Sequence, residues 1–274
     1  MKKILIICFL LIASLAGFSQ GSEIGPFIGG SYYMGELNPG KQFYNTQPAF
    51  GLIYRRPLNP RYAIKANFIV GNVEAYDSDS NNPAQVNRNL NFRSRIYDLS
   101  GQLEFNFLPF EIGDKTKPFS PYIFAGLAIF RFNPQAEVNG QWVDLKPLST
   151  EGQGTRAAPG KSEYSLTQFA FPFGAGFKFA IAKRIGINIE WSLRRTWTDY
   201  LDDVSTTYPD LNILAREKGP FAASMSDRSL TNGDLGRNSG LQRGSSKRND
   251  WYSFAGITFV YKIGPKIQKC PAYR

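Results

Sequence analysis

Between residues 184 and 204 apolar and polar side chains alternate. Ile185, Ile187, Ile189, Trp191, Leu193 and Trp197 share one parity; Gly186, Asn188, Glu190, Ser192, Arg194, Thr196 and Thr198 share the other. Successive side chains of a strand point to opposite sides of a sheet, so the stretch predicts a strand with one apolar and one polar face. It runs well past the ~5–6 residues typical of a soluble strand and meets the ~9–11 that a membrane-crossing strand needs. Trp197 lies toward one end of the apolar face, where an interfacial aromatic girdle places its rings.

The same period predicts seven further strands, at 23–34, 48–58, 62–75, 90–108, 121–132, 166–181 and 250–263. In the fourth, Tyr97, Leu99, Leu103, Phe105 and Phe107 oppose Asp98, Ser100, Gln102, Glu104 and Asn106. In the sixth, Phe169, Phe171, Phe173, Phe177 and Phe179 face outward, while Gln168, Gly174, Gly176 and Lys178 face in. The fifth is apolar on both faces, so its orientation stays open. Connections are long after strands one, three, five and seven, and short to medium after two, four and six. This is the wiring of an outer-membrane barrel with short periplasmic turns and long exterior loops.

Residues 133–164 read as a long polar loop. Residues 209–218 read as a short helix with Pro209 at its first position, Gly219 past its end and Leu211, Leu214 and Ala215 as its apolar stripe. The fold expected is all-β: a closed antiparallel transmembrane barrel of about eight strands, spanning 21–263, with a periplasmic C-terminal tail at 264–274.

Residues 1–20 have the layout of a secretory signal peptide: Lys2 and Lys3, an apolar core, then small residues, with cleavage expected near Ser19 or Gln20. Cys8 sits within the apolar core rather than at a cleavage point, which argues against a lipoprotein anchor. The exported chain keeps Cys270 alone and forms no internal disulfide. A mean hydropathy of −0.29 argues against a bundle of membrane helices but suits a barrel, whose strands are half apolar. The expected location is the cell outer membrane. The net charge of +10 suits anionic lipid or lipopolysaccharide phosphate, and an exported chain is a poor match for nucleic acid.

The polar parity sends Arg55, Lys65, Glu104, Lys178, Glu190 and Arg194 into the lumen. A barrel of about eight strands is just wide enough for side chains to fill it. Glu104 and Glu190 set against Arg194 and Lys178 read as a structural network, because each unpaired charge there would cost several kcal/mol. Such a lumen argues against a pore. The chain has no histidine, which removes the usual base of membrane-barrel hydrolases and, with one cysteine left, the usual zinc ligands. The expectation is therefore a non-enzymatic protein without cofactor or metal.

Three loop features remain. Asp199, Asp202 and Asp203, followed by Ser205, Thr206 and Thr207, bring together oxygen ligands of the kind calcium takes. No calcium-loop spacing accompanies them, so the favoured reading is hydrogen bonding to backbone where strand becomes loop. Residues 152–160 are a glycine-rich exterior loop rather than a phosphate loop, since no strand precedes them and no helix follows. Arg237, Arg243, Lys247 and Arg248 form a basic cluster suited to lipopolysaccharide phosphates, though a solvated run is the favoured reading.

Several motifs carry a family likeness. TDYLDDVSTTY at 198–208, QRGS at 242–245, NDWY at 249–252 and KCPAY at 269–273, with EIG at 23–25, Gly29-Gly30 and 32–38, resemble the small outer-membrane barrels of Bacteroidota that include PorG of the type IX secretion system. Ser245 stands where the family pattern has Asn. The resemblance covers nearly all of the exported chain and singles out Asp199, Asp202, Asp203, Arg243, Asp250 and Trp251 as its loop motif. It implies an anchoring or assembly subunit of a type IX-like secretion machine. Such a subunit would dock periplasmic ring proteins of the PorK and PorN or GldK and GldN type. The implied contact surface comprises 109–120, 182–184 and the basic tail, with Lys266, Lys269, Cys270 and Tyr273. The alternative function is a surface barrel whose exterior loops bind lipopolysaccharide or another ligand.

Overall fold

The structure, a computed structural model, describes residues 21–231 and 236–264. The expected signal peptide at 1–20, and Lys266, Lys269, Cys270 and Tyr273 of the expected tail, lie outside the described residues.

Ten strands form one sheet: β1 (Ser22–Met34), β2 (Gln47–Pro57), β3 (Tyr62–Tyr76), β4 (Asn91–Asn106), β5 (Phe119–Arg131), β6 (Pro134–Val138), β7 (Gln141–Asp144), β8 (Thr167–Ala180), β9 (Ile185–Thr196) and β10 (Trp251–Ile263). Eight of them close a ring in the order β1, β2, β3, β4, β5, β8, β9, β10, with β10 returning to β1 and every pairing antiparallel. Closure leaves the ring no free edge, as a bilayer requires. β6 and β7 form a hairpin laid against the outer end of β4. It falls within the 133–164 stretch read as loop. The turn is Asn139-Gly140, both residues at positive φ, the dipeptide that favours a two-residue hairpin.

The face assignment inverts that of a soluble protein. Leu127 and Phe169 are 65% and 61% exposed, whereas Arg55, Lys65 and Lys178 are at 1% or below. An apolar exterior around an ionic interior is stable only where lipid, not water, surrounds the ring. The protein is thus an outer-membrane barrel. The fifth barrel strand, β5, whose pattern left both orientations open, turns Tyr122, Phe124, Ala128 and Phe130 inward and Ile123, Leu127 and Ile129 to lipid. Its inward rings serve the lumen cations: Lys65 Nζ lies 4.2 Å from the centre of the Phe124 ring and Lys178 Nζ 4.3 Å from that of Tyr122.

Glu104 is the hub of the lumen. It accepts from Arg55 Nε at 2.7 Å and from Lys178 Nζ at 2.6 Å, and Lys65 Nζ lies 3.3 Å away. Arg55 reaches Glu23 at 2.8 Å, and Lys65 reaches Glu190 at 2.8 Å, where the Tyr122 hydroxyl also donates at 2.8 Å. Arg194 is not part of this set, contrary to its expected pairing with a glutamate. It lies toward the outer end of β9, 3.3 Å from Asp98, which also accepts from Tyr252 at 2.8 Å. Strand tilt decides this: residues that share a face are brought level across the ring only by the stagger of the strands. Toward the periplasmic end, Phe110 and Ile112 of the 107–118 connection pack on Val260.

Candidate functional site

The site is the cap over the exterior mouth, built from the four long connections. The β9–β10 connection supplies most of it. Two helices lie within it, and a third helix lies in the β3–β4 connection: α1 (Pro83–Arg88), α2 (Leu211–Lys218) and α3 (Pro220–Ser226). α2 begins two residues later than expected. Asp210, rather than Pro209, sets its start, its carboxylate accepting from Asn212 N at 2.9 Å and Ile213 N at 3.1 Å. Leu211 and Leu214 are buried against Ala222 and Ala223 of α3 and Ala157 of the glycine-rich loop. That packing holds the loop over the mouth.

Arg243 is a buried fastener, not part of a solvated basic run. It is 3% exposed. Its Nη1 donates to Asp203 O at 2.6 Å and to Glu151 Oε1 at 3.2 Å, and its Nε to Ser226 O at 3.1 Å. Glu151 in turn accepts from Ser205 N at 2.8 Å and from Thr206 Oγ1 at 2.6 Å. Arg88 at the end of α1 grips Asp77 with two bonds of 2.7 Å and donates to Arg243 O at 2.6 Å. These bonds join three of the four connections.

The aspartates divide by role. Asp202 Oδ1 accepts from Val204 N at 2.9 Å, a local backbone bond, and its Oδ2 lies 2.5 Å from the Tyr33 hydroxyl. Asp203, at φ +65°, accepts from the Tyr164 hydroxyl at 2.7 Å and from Thr150 Oγ1. Asp250 accepts from Leu201 N at 2.9 Å and from the same Tyr33 hydroxyl at 3.0 Å. Neither oxygen of Asp199 receives a hydrogen bond. The expected backbone bonding thus fits Asp202 and not Asp199. Trp251 stands on the outer face, edge-on to Phe173 with ring centres 5.9 Å apart.

Burial governs the ionisation of these acids. It pushes Asp199 up to about 7, with the nearby Ser205 hydroxyl opposing and Asp202 and Glu151 adding to the rise. It pushes Glu36 up to about 7 with help from Asp199. Asp203 rises to about 6 by burial, Arg243 opposing, and Asp250 is raised well above the ordinary range by burial and then by Asp202. Glu36, Asp199 and Asp250 each place an oxygen within 4.8 Å of the others. Gly35 makes room for this: a Cβ there would meet Asp250 Oδ1 at 2.1 Å and the Tyr33 hydroxyl at 2.0 Å. Glu36 also lines a cleft of about 1410 Å³ that runs between the cap and the wall past Arg195, Lys247, Arg248 and Trp251.

Of the family-like motifs, 198–208, 242–245 and 249–252 come together here. Glu36, Asp77, Arg88 and Glu151 were not singled out from sequence. They lie in loops, where no period marks an inward face, and no other signal in the chain identifies them.

Residues 2–218 match a family described as a domain of unknown function, DUF6089. Among curated proteins, none matches the sequence. Among solved structures, the chain is similar to the Neisserial surface protein A at 9% identity and a TM-score of 0.43, covering 89% of this chain and 97% of that one. It is similar to Ail, the attachment invasion locus protein of Yersinia pestis, at 10% identity and a TM-score of 0.41, covering 89% and 99%. It is also similar to the outer membrane protein OprG from Pseudomonas aeruginosa, at 10% identity and a TM-score of 0.38, covering 91% and 99%. The barrel assignment rests on the strand pairing described above.

Proposed function

The chain belongs to the DUF6089 family, and we propose that it is a non-enzymatic anchoring or assembly subunit of a type IX-like protein secretion machine. The observation that carries this reading is the convergence of the motifs resembling that barrel group, 198–208, 242–245 and 249–252, into one buried, hydrogen-bonded cap. The charge-filled lumen beneath supports a scaffold rather than a conduit. On the periplasmic side, the 107–118 connection is fastened to the end of β10 by a Lys262–Glu111 contact of 3.1 Å. It gives docking proteins a braced surface beside the tail.

Two variants test the reading. Deleting 264–274 is expected to leave a folded, membrane-inserted barrel that no longer co-purifies with periplasmic ring proteins. Replacing the exposed part of the glycine-rich loop, 158–163, is expected to leave that co-purification intact. Undiminished recovery of ring proteins with the tail deleted would refute the anchor. The second reading, a barrel whose exterior binds lipopolysaccharide, draws on the cleft edged by Arg195, Lys247 and Arg248. It predicts the opposite dependence, with ligand capture lost on changing the exterior and kept without the tail.

A further inference from the structure

Glu36, Asp199 and Asp250 come from opposite ends of the chain's fold order. Glu36 stands just after β1, Asp199 just after β9, and Asp250 just before β10. Each offers one carboxylate oxygen, and the three oxygens lie within 4.8 Å of one another. Clustering alone says little, since acids often gather without a ligand.

A second observation concerns hydrogen bonding rather than position. Asp199 is only 8% exposed, yet neither of its oxygens accepts a bond from any described group. Glu36 accepts from Ser245 N at 3.2 Å through Oε1, while its Oε2 is also without a partner. Buried carboxylate oxygens are ordinarily satisfied, because an orphaned acceptor costs about 1–3 kcal/mol and more when charged. The protein does supply donors close by, but they are engaged elsewhere. The Tyr33 hydroxyl has one proton for Asp202 and Asp250, and Arg88 is held by Asp77 and Arg243 O.

We propose that Glu36, Asp199 and Asp250 bind a calcium ion that clamps the β1–β2 connection to both ends of the β9–β10 connection. The donor set is all oxygen, which selects a hard cation over zinc or copper. Calcium holds its ligands at about 2.3–2.6 Å, so two oxygens across the ion stand up to about 5 Å apart, and a 4.8 Å spread fits. Magnesium at about 2.0–2.1 Å requires them within about 4.2 Å. Three carboxylates leave coordination places for water, and Glu36, the member that lines the open cleft, gives the ion its route in. Gly35 is the local device that permits it, since any side chain there would push into Asp250. The clamp does not depend on whether the barrel serves secretion or ligand capture.

The test uses the full chain folded in detergent micelles and stripped with chelator. Calcium is titrated to about 10 mM, because exterior modules bind it at about 0.1–1 mM. Bound metal per chain is counted after equilibrium dialysis, and terbium luminescence sensitised through Tyr33 is read with calcium as competitor. One calcium per chain is expected, together with terbium emission that calcium quenches. Asp199→Asn and Glu36→Gln are each expected to weaken binding at least tenfold. Both substitutions replace a carboxylate by its near-isostere, and heat-modifiable gel migration reports that the barrel is folded in each. Absence of calcium binding by the wild-type chain overturns the proposal. So does equal binding by folded wild type and both variants, or occupancy by magnesium with calcium refused.

Discussion

The lumen and the cap are both built from buried charge, and they solve the problem of burial differently. In the lumen, Glu23, Asp98, Glu104 and Glu190 meet Arg55, Lys65, Lys178 and Arg194, one cation for each anion. In the cap, Glu36, Asp77, Glu151, Asp199, Asp202, Asp203 and Asp250 share Arg88 and Arg243, with Lys161 Nζ 3.8 Å from Glu151. The lumen is neutral by its own composition, as a region inside a bilayer must be, since an unmatched ion there has no water to turn to. The cap stands outside the bilayer, where protons and cations can be drawn from solution. Excess acid is tolerable there and open to control from outside.

The sharpest way to break this contrast is to unbalance the lumen. Glu104→Ala leaves Arg55, Lys65 and Lys178 short of their shared anion. It is expected to cost about 3–5 kcal/mol or to prevent insertion, read as a lowered urea midpoint or loss of heat-modifiable migration. A variant as stable as wild type would show that the network contributes nothing. Arg243→Ala strikes the cap instead. It strips Glu151 of one of its cations and leaves the carbonyls of Asp203 and Ser226 without their donor. The expected loss is about 3 kcal/mol confined to the loops, seen as roughly a hundredfold faster amide exchange at 149–155 and 199–208 with the strands unchanged. Loss of the barrel along with the cap would mean the two regions are one cooperative unit.

The smallest effect is one of pH. Burial raises Asp203 from an ordinary 3.8 to about 6, so the folded cap holds its proton more tightly than the unfolded loop does. Its contribution is therefore greatest below about pH 4, declines as pH climbs between the two values, and is flat above about 6. Asp203→Asn should reduce that slope in the loop exchange rates. An unaltered slope assigns it to another acid.

The strands were readable because lipid imposes a strict rule: on β4 and β9 every second residue has to be apolar, whatever its neighbours do. β5 escaped because its lumen face carries Tyr122, Phe124 and Phe130, rings that look lipid-facing until their role beside lysines is seen. The Arg194–Asp98 pairing depends on stagger, which parity does not encode. The β6–β7 hairpin carried a signal in Asn139-Gly140 that went unused, overshadowed by the polar composition around it. The cap was the least readable part. Arg243 sits among exposed basic residues in the chain, and only the folding of a distant loop around it makes it an interior group.

The pairing of β3 with β4 continues to Tyr76 and Asn91, while β2 leaves β3 at Gly71 and β5 leaves β4 at Arg131. The five residues from Asn72 to Tyr76 therefore carry a ribbon about 17 Å beyond the neighbouring wall on one side, with the β6–β7 hairpin widening it. The rim is consequently lopsided, and the molecule has a compass heading within the plane of the membrane. A neighbour sliding alongside would meet a parapet from one direction and a low sill from the other, so side-by-side packing in this bilayer has a preferred bearing.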